Sequence, residues 1–376
     1  MPLLVEEFNK VKPRIDFLIA HLTLNVNSGS RKNRVYLSFL TLCNLIFLIF
    51  VFLHLKNSKN FELNFNVLLT FLTFLAIISY GFRIIVCLRK REKFVKFLQG
   101  IKEMYEEQEE DEELGFILKK NLLNSLNFFQ FCNRWGVYIF FSGGILCGVY
   151  FRLNSDYGLM YELPFNATSN MIWEDFPHVL QTFFYINLGC TIIFLDIGIL
   201  FLGIQVIAEI NILNDCIKLM NDKVKTQPKF LCKIIKRHCS VIENVNQLND
   251  LISETSFMQL ILTFVCLLLG ITFLITYAMG VGNYIIAICG GSLGLSICIL
   301  GEFIKIKTSE LSNTLYLTNW YELSLNEQKN FILILGMSQR EYGLKAGGMY
   351  EVNLYTFLRI LKIALSYSAV LYVTLR

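Results

Sequence analysis

Long apolar runs alternate along this chain with shorter segments that are rich in charged residues. A helix rises about 1.5 Å per residue, so about 20 apolar residues cross the hydrocarbon core of a bilayer. The pattern predicts seven membrane-spanning helices, over residues 35–55, 65–88, 135–151, 179–208, 257–277, 284–304 and 354–375. Glycines dilute the third and sixth runs, and a helical approach from Leu118 precedes the third. The predicted fold class is therefore an all-α membrane protein with seven transmembrane helices.

Composition supports this class. Of the 376 residues, 54% are hydrophobic and 17% are charged, whereas soluble domains carry about 25% charged residues. The net charge of +4 is too small to argue for a nucleic-acid partner. The first 34 residues are charged and contain no apolar core typical of a cleavable signal peptide.

The distribution of Lys and Arg predicts the orientation, because these residues stay on the cytoplasmic side of a membrane. The N-terminal segment and every second loop after it contain 27 of them, and the alternate loops and the C-terminus contain four. The N-terminus is then cytoplasmic and the C-terminus is outside, the reverse of a G-protein-coupled receptor. The sequon Asn166-Ala167-Thr168 falls in a loop assigned to the outside, where Asn166 could be glycosylated.

No residue pattern supports an enzyme, a metal site or a cofactor. The sequence Gly290-Gly291-Ser292-Leu293-Gly294 fits the nucleophile-elbow pattern but lies inside an apolar run, where such glycines let helices approach closely. The cysteines lie in apolar runs and basic loops, so we expect no disulfide framework. The acidic block 106–113 lacks the spacing of a calcium-binding loop, and we expect a solvated helix face.

Two charged residues fall inside apolar runs at comparable depths. Asp196 lies in the cytoplasmic half of the fourth span, and Arg83 lies near the inner end of the second. Intramembrane charges are costly and mark either a structural pair or a functional site. We expect a structural pair between them, and a direct role of Asp196 in handling a ligand or an ion remains the alternative.

Aromatic and small polar residues recur in the outer halves of spans two to six. Gly143, Cys147 and Tyr150 share one helix face by their spacing. An apolar pocket with few polar groups suits a small volatile molecule bound by shape and dispersion. The candidate ligand-binding residues are Phe71, Phe74, Gly143, Cys147, Tyr150, Phe183, Phe184, Asn187, Tyr277 and Tyr284.

The last 55 or so residues carry a more specific signal. The run LKAGGMYEVNLYTFLRILKIALSYSAVLYVTLR, with Trp320 upstream, resembles the C-terminal signature of insect odorant receptors. The resemblance implies a tetrameric, ligand-gated, nonselective cation channel in the plasma membrane of a sensory-neuron dendrite, which monovalent and divalent cations permeate. It also implies four regions: a cytoplasmic N-terminal segment (1–34), a six-helix ligand-binding region with cytoplasmic extensions (35–304), a cytoplasmic anchor (305–353) and a pore-lining last helix (354–376).

The length and the C-terminus resemble those of a tuning subunit rather than the obligate co-receptor, which implies assembly with the co-receptor as a hetero-tetramer. By this resemblance the pore and gate residues are Ser366, Tyr367, Val370, Leu371 and Thr374. Thr374 stands where the co-receptor has its lower gate leucine, so the co-receptor would supply most of the seal. A gustatory receptor channel is the first alternative, although Val373 and Thr374 depart from its Gln-Phe ending. A secondary transporter is the second, but its paired interrupted helices are not evident.

Overall fold

A computed structural model describes residues 2–24, 31–57, 65–153, 159–161, 171–226, 229–276 and 281–375. Helices account for nearly all of this part of the chain, and one short hairpin precedes the last helix. The elements are α1 (Pro2–Leu22), α2 (Arg31–Asn57), α3 (Phe65–Arg89), α4 (Arg91–Glu106), α5 (Glu112–Leu153), α6 (Met171–Lys218), α7 (Met220–Thr226), α8 (Phe230–Thr276), α9 (Val281–Tyr316), a 3₁₀ turn (Trp320–Glu322), α10 (Leu325–Ser338), β1 (Lys345–Ala346), β2 (Tyr350–Glu351) and α11 (Leu354–Leu375).

Each of the seven predicted spans falls on one of these helices, and the fold class is confirmed. Within the described residues, α2, α3, α5, α6, α8 and α11 are long and apolar enough to cross a membrane. The glycine-rich sixth span lies in α9. The helices α5, α6 and α8 contain 42, 48 and 47 residues, or about 60–70 Å at 1.5 Å per residue. They therefore extend well beyond the bilayer, and their charged ends form a cytoplasmic layer.

The central helix is α6, which packs against α1, α2, α5, α8 and α9. In the most apolar stretch of α6, 78% of the residues are buried, whereas in that of α11, at the periphery, only 11% are buried. The N-terminal helix α1 buries Leu4, Phe8, Val11, Ile15 and Leu18, which recur at helical spacing and form one apolar face. The basic N-terminal stretch is thus an amphipathic helix that packs against α5 and α6.

Small residues allow α5 and α6 to cross at close range. A methyl group at Gly144 would lie 2.8 Å from Cγ1 of Ile186, and one at Gly148 would overlap the side chain of Thr182. Glycine at these two positions therefore sets how closely the helices approach. Ten of the eleven cysteines are free thiols, and the side chain of Cys289 lies outside the described residues.

The expectation of a solvated acidic helix face is wrong. The block 106–113 forms the connection between α4 and α5, and its carboxylates bind basic side chains of α7 and α8. Arg237 donates to Glu107 at 2.6 Å, Lys223 donates to Asp111 at 2.7 Å, and Lys233 pairs with Glu109. The acidic block fastens the cytoplasmic ends of three helices, because carboxylates in a tight connection can reach several cations at once.

The hairpin β1–β2 lies between the cytoplasmic layer and α11. Gly347 and Gly348 form its turn with φ of 59° and 73°, a left-handed conformation that glycine adopts without strain. The N–H of Gly347 donates to the carbonyl of Ser253 at 3.0 Å, and the Ser253 hydroxyl donates to the carbonyl of Lys345 at 2.7 Å. These bonds attach the hairpin to α8. Lys305 of α9 pairs with Glu351 at 2.9 Å, and this hydrogen bond raises the pKa of Lys305.

Candidate functional site

The outer half of the bundle contains two adjoining apolar clusters. The first, which we call the α3–α8 cluster, consists of Leu68, Leu72, Phe151, Met160, Leu262, Cys266 and Phe273. The second, the α2–α6 cluster, consists of Phe47, Val51, Ile77, Tyr161, Phe184 and Leu188. Tyr185 and Ala76 pack against both clusters. Each cluster draws side chains from several helices.

The predicted ligand-binding residues divide between these clusters. Cys147 and Tyr150 pack against the α3–α8 cluster, and Phe74 packs against the α2–α6 cluster. Phe184 is 4% exposed and stacks on Phe47 with ring centroids 4.7 Å apart. These four predicted residues thus lie against the two clusters and do not form one continuous wall.

Other predicted residues lie at the surface of the protomer. Phe71, Phe183 and Tyr284 are 40%, 40% and 44% exposed, and a methyl group at Gly143 would meet no atom within 4 Å. Tyr277 and the sequon residue Asn166 lie outside the described residues, so both remain predictions from sequence. Surface aromatics of a membrane helix suit contact with lipid or with another subunit.

Asn187 forms a polar contact between α2 and α6. Its amide nitrogen donates to Oδ1 of Asn44 at 3.0 Å, and the amide of Asn44 donates to the Thr191 hydroxyl at 3.2 Å. All three residues are buried. Because a buried amide is costly to leave without partners, this network accounts for Asn187 without a ligand.

Residues 159–161 and Tyr185 also belong to this region, although none of them is among the residues predicted from the sequence. Met160 and Tyr161 are 0% and 2% exposed. The Tyr185 hydroxyl donates to Sδ of Met160 at 2.7 Å, the N–H of Met160 donates to Gln181 at 3.1 Å, and the Tyr161 hydroxyl donates to the carbonyl of Pro177 at 2.6 Å. Part of the outer loop is thus held inside the bundle, against both clusters. One feature of the sequence could have indicated this position: residues 159–161 are three consecutive apolar residues in a mostly polar loop.

The expected pair between Arg83 and Asp196 is present. Their side chains are 5% and 11% exposed and form an ion pair between α3 and α6. Gln259 of α8 also hydrogen-bonds Asp196, and its amide donates to the carbonyl of Leu293 in α9. Four helices therefore meet at one buried polar junction, inward of the apolar clusters. This geometry is that of a structural pair.

The last helix, α11, presents two different faces. Ala364 and Ser368 are fully buried, and the Ser368 hydroxyl donates to the carbonyl of Leu268 in α8 at 3.0 Å. On the other side, Tyr367, Val370 and Val373 are 58%, 59% and 74% exposed. Tyr367 and Val370 are predicted gate residues, whereas Val373 is not. Of the other predicted gate residues, Ser366 is exposed, Leu371 is half-buried, and the side chain of Thr374 lies outside the described residues. Three side chains therefore form an exposed row on α11.

The start of α11 is fixed by two side chains. Asn353 accepts the N–H of Thr356 at 2.8 Å, and Glu302 of α9 accepts the N–H of Leu354 at 3.1 Å. Side-chain acceptors of this kind satisfy the first free N–H groups of a helix. Together with the hairpin, they anchor the cytoplasmic end of α11 to α8 and α9.

Comparison with known proteins identifies the family. Residues 64–365 match the family model described as 7tm Odorant receptor. Odorant receptor 22b of Drosophila melanogaster is 24% identical over 139 residues, which are 36% of this chain and 35% of that protein. The match favours an odorant receptor over the gustatory-receptor and transporter alternatives.

The fold agrees with solved structures. The olfactory receptor OR5 from the insect Machilis hrabei, in complex with eugenol, superposes with a TM-score of 0.74 at 13% identity, over 99% of both chains. Another structure of the same receptor gives a TM-score of 0.69 at 13% identity over 97% of both. Since the family match extends over most of the chain and the helices are arranged as in an insect olfactory receptor, the chain belongs to the 7tm odorant receptor family and is a multi-pass membrane protein.

Proposed function

We propose that this chain is the odorant-tuning subunit of a ligand-gated cation channel, and that a small apolar volatile binds at the α3–α8 cluster. The main support for the proposal is that α8 contacts both the α3–α8 cluster and the last helix, α11. Leu262, Cys266 and Phe273 of this helix belong to the cluster, and its Leu268 carbonyl binds Ser368 of α11. A ligand that displaces α8 therefore acts directly on the last helix.

The ligand contacts in this proposal are Met160 and Tyr185 together with Cys147, Tyr150 and Cys266. Thioether and thiol side chains are polarisable, and Met adapts its shape to irregular partners. Met160 enters the cluster from the loop rather than from a helix, so the loop takes part directly in this site. Because the Machilis receptor structure contains eugenol, an aromatic volatile is the first class to test here.

The exposed row on α11 is proposed to line a pore shared by several subunits. Tyr367, Val370 and Val373 recur at every third residue, and a helix with such a row must face protein, lipid or a channel. A ligand shifts gating only through its different affinity for the closed and open states. Movement of α8 and α11 supplies that difference, since both the ligand and the pore contact the same pair of helices.

The cytoplasmic layer is proposed as the contact between subunits. Large apolar side chains are exposed from the end of α9 through the 3₁₀ turn to α10: Tyr316, Leu317, Tyr321, Leu325 and Leu333 are 64–78% exposed. In an aqueous compartment such a patch marks a protein interface. We propose the co-receptor as partner, in the plasma membrane of a sensory neuron, with Thr374 as the gate position that this subunit leaves unsealed.

Whole-cell current from cells that express this chain alone, and together with a co-receptor, tests the channel. A panel of volatiles should evoke cation current only on co-expression. Current from this chain alone would contradict the proposed need for a partner. Absence of current in both cases, with the protein at the cell surface and the co-receptor shown to conduct with another subunit, would contradict the channel proposal for the tested ligand classes.

Substitutions in α8 locate the binding site. Cys266→Trp fills the α3–α8 cluster and should abolish the odorant response while the protein still reaches the surface. Ile261→Trp is the matched control, because Ile261 lies on the same helix and is 42% exposed. Equal loss of response in both variants would argue against binding at the cluster.

A further inference from the structure

A half-buried arginine lies where α1, α2, α5 and α6 meet. Arg14 of α1 donates from Nε to Oδ1 of Asn133 in α5 at 3.0 Å. Its guanidinium carbon lies 5.2 Å from the ring centroid of Phe17 and 4.9 Å from that of Phe194 in α6, distances at which a cation is attracted to an aromatic ring. Tyr36 of α2 packs against Phe17, with ring centroids 5.8 Å apart.

This arginine lacks a counter-charge. Within the described residues Arg14 forms no ion pair, and the ionisable groups that act on it are the Tyr36 hydroxyl and the Cys190 thiol. Asp16 is the nearest carboxylate along α1, but residues two positions apart do not face each other on a helix. Burial lowers the pKa of Arg14. A bound anion would offset this cost, because an opposite charge stabilises the protonated guanidinium.

The neighbours of Arg14 place it at the cytoplasmic surface of the bilayer. Asn133 lies two residues before the third predicted span, and Tyr36 is the second residue of the first one. Trp135 is exposed at the start of the third span, and Trp and Tyr are enriched at membrane–water interfaces. Lipid phosphates occupy this level, and the cytoplasmic leaflet carries the anionic lipids. The guanidinium therefore lies at the depth of lipid phosphate groups.

An exposed apolar cleft continues from Arg14 into the membrane. The central helix α6 packs against both α2 and α5, and a strip of its surface stays open between them. Phe183 of this strip is 40% exposed and lies 6.3 Å from Phe39 of α2, which is 49% exposed. Tyr36 is three residues before Phe39, on the same side of α2. We call this surface, with Tyr36, Phe39 and Phe183, the α2–α5 cleft.

From these contacts we propose that the α2–α5 cleft binds an anionic phospholipid of the cytoplasmic leaflet, with its phosphate on Arg14 and an acyl chain against Phe39 and Phe183. Asn133 occupies Nε of Arg14, and the two terminal nitrogens donate to the phosphate, a geometry that suits a guanidinium. A free phosphate ion would leave the aromatic cleft uncovered. The lipid would join α1 to α2 and α5, and this role does not depend on the odorant or the pore.

Native mass spectrometry of the purified full-length protein, titrated in detergent with phosphatidylserine or phosphatidylcholine, tests this proposal. One phosphatidylserine per protomer should bind about tenfold more tightly than phosphatidylcholine. Arg14→Gln should weaken phosphatidylserine binding about tenfold, because it removes charge-assisted hydrogen bonds. Arg134→Gln is the matched control. It removes an exposed charge next to Asn133, at the same depth but about 100° round α5, and should leave the affinity unchanged.

A second variant and a thermal measurement separate loss of binding from loss of folding. Arg14→Lys keeps the charge without the planar fork and should bind phosphatidylserine with intermediate affinity. Phosphatidylserine should raise the midpoint of thermal unfolding of the unmodified protein but not that of Arg14→Gln, and inorganic phosphate should raise neither. The proposal is overturned if phosphatidylcholine binds as tightly as phosphatidylserine, if inorganic phosphate stabilises as well as the lipid, or if Arg14→Gln and Arg134→Gln bind phosphatidylserine equally well.

Discussion

The buried ion pair between Arg83 and Asp196 gives the sharpest test of how this bundle is held together. Asp196→Asn preserves the size of the side chain but removes its charge. Arg83, which is 5% exposed in its side chain, would then remain inside the bundle without a counter-charge. Removing one partner of a buried pair costs about 3–5 kcal/mol, most of which is the cost of the charge left behind.

The expected loss of stability can be measured in detergent as the temperature at which half of the protein is no longer monodisperse after heating. At about 2 °C per kcal/mol for a chain of this size, Asp196→Asn should lower the midpoint by roughly 6–10 °C. The double variant Arg83→Met with Asp196→Leu removes both charges and should recover most of this loss, because an apolar pair of similar size is often as stable as a buried ion pair.

An exposed pair provides the control. Arg152 and Asp175 lie 2.6 Å apart but are 49% and 60% exposed, and exposed pairs contribute about 0–1 kcal/mol. Asp175→Asn should therefore move the midpoint by no more than about 2 °C. If Asp196→Asn costs no more than Asp175→Asn, or if the double variant is as unstable as the single one, the pair is not the structural junction described above.

Three further outcomes are expected. Ser368→Ala removes the hydrogen bond to the Leu268 carbonyl, which is worth about 1 kcal/mol. It should therefore shift the half-maximal odorant concentration roughly fivefold. An unchanged dose–response curve would contradict coupling through this contact. Tyr185→Phe removes the hydroxyl held by Met160 and should change odorant potency about three- to tenfold at equal surface expression, whereas unaltered potency would separate the loop from binding. Gly148→Leu should abolish surface expression, whereas Gly143→Leu, with no atom within 4 Å of its added methyl group, should be tolerated; equal expression of both would contradict the close crossing.

Part of the candidate site was accessible from the sequence. Cys147 and Tyr150 follow from helical spacing on one span, and both pack against the α3–α8 cluster. Helical periodicity could not show that Phe71 and Phe183 would be 40% exposed, because in a membrane the lipid-facing and the core-facing sides of a helix are equally apolar. Tyr185 was missed for the same reason, as an aromatic residue among many.

By itself, the sequence determined the spans, their orientation and the depth of the Arg83–Asp196 pair. Each of these depends on local properties: the length of an apolar run, the placement of Lys and Arg, and the cost of a charge in hydrocarbon. Only the tertiary structure decided that residues 159–161 enter the bundle. The same is true of the three basic side chains that pair with the acidic block 106–113, and of the groove that Gln205 and Glu209 share with α4 and α8. These arrangements bring together residues that lie from 16 to more than 100 positions apart, and no periodicity along the chain encodes which distant partners meet.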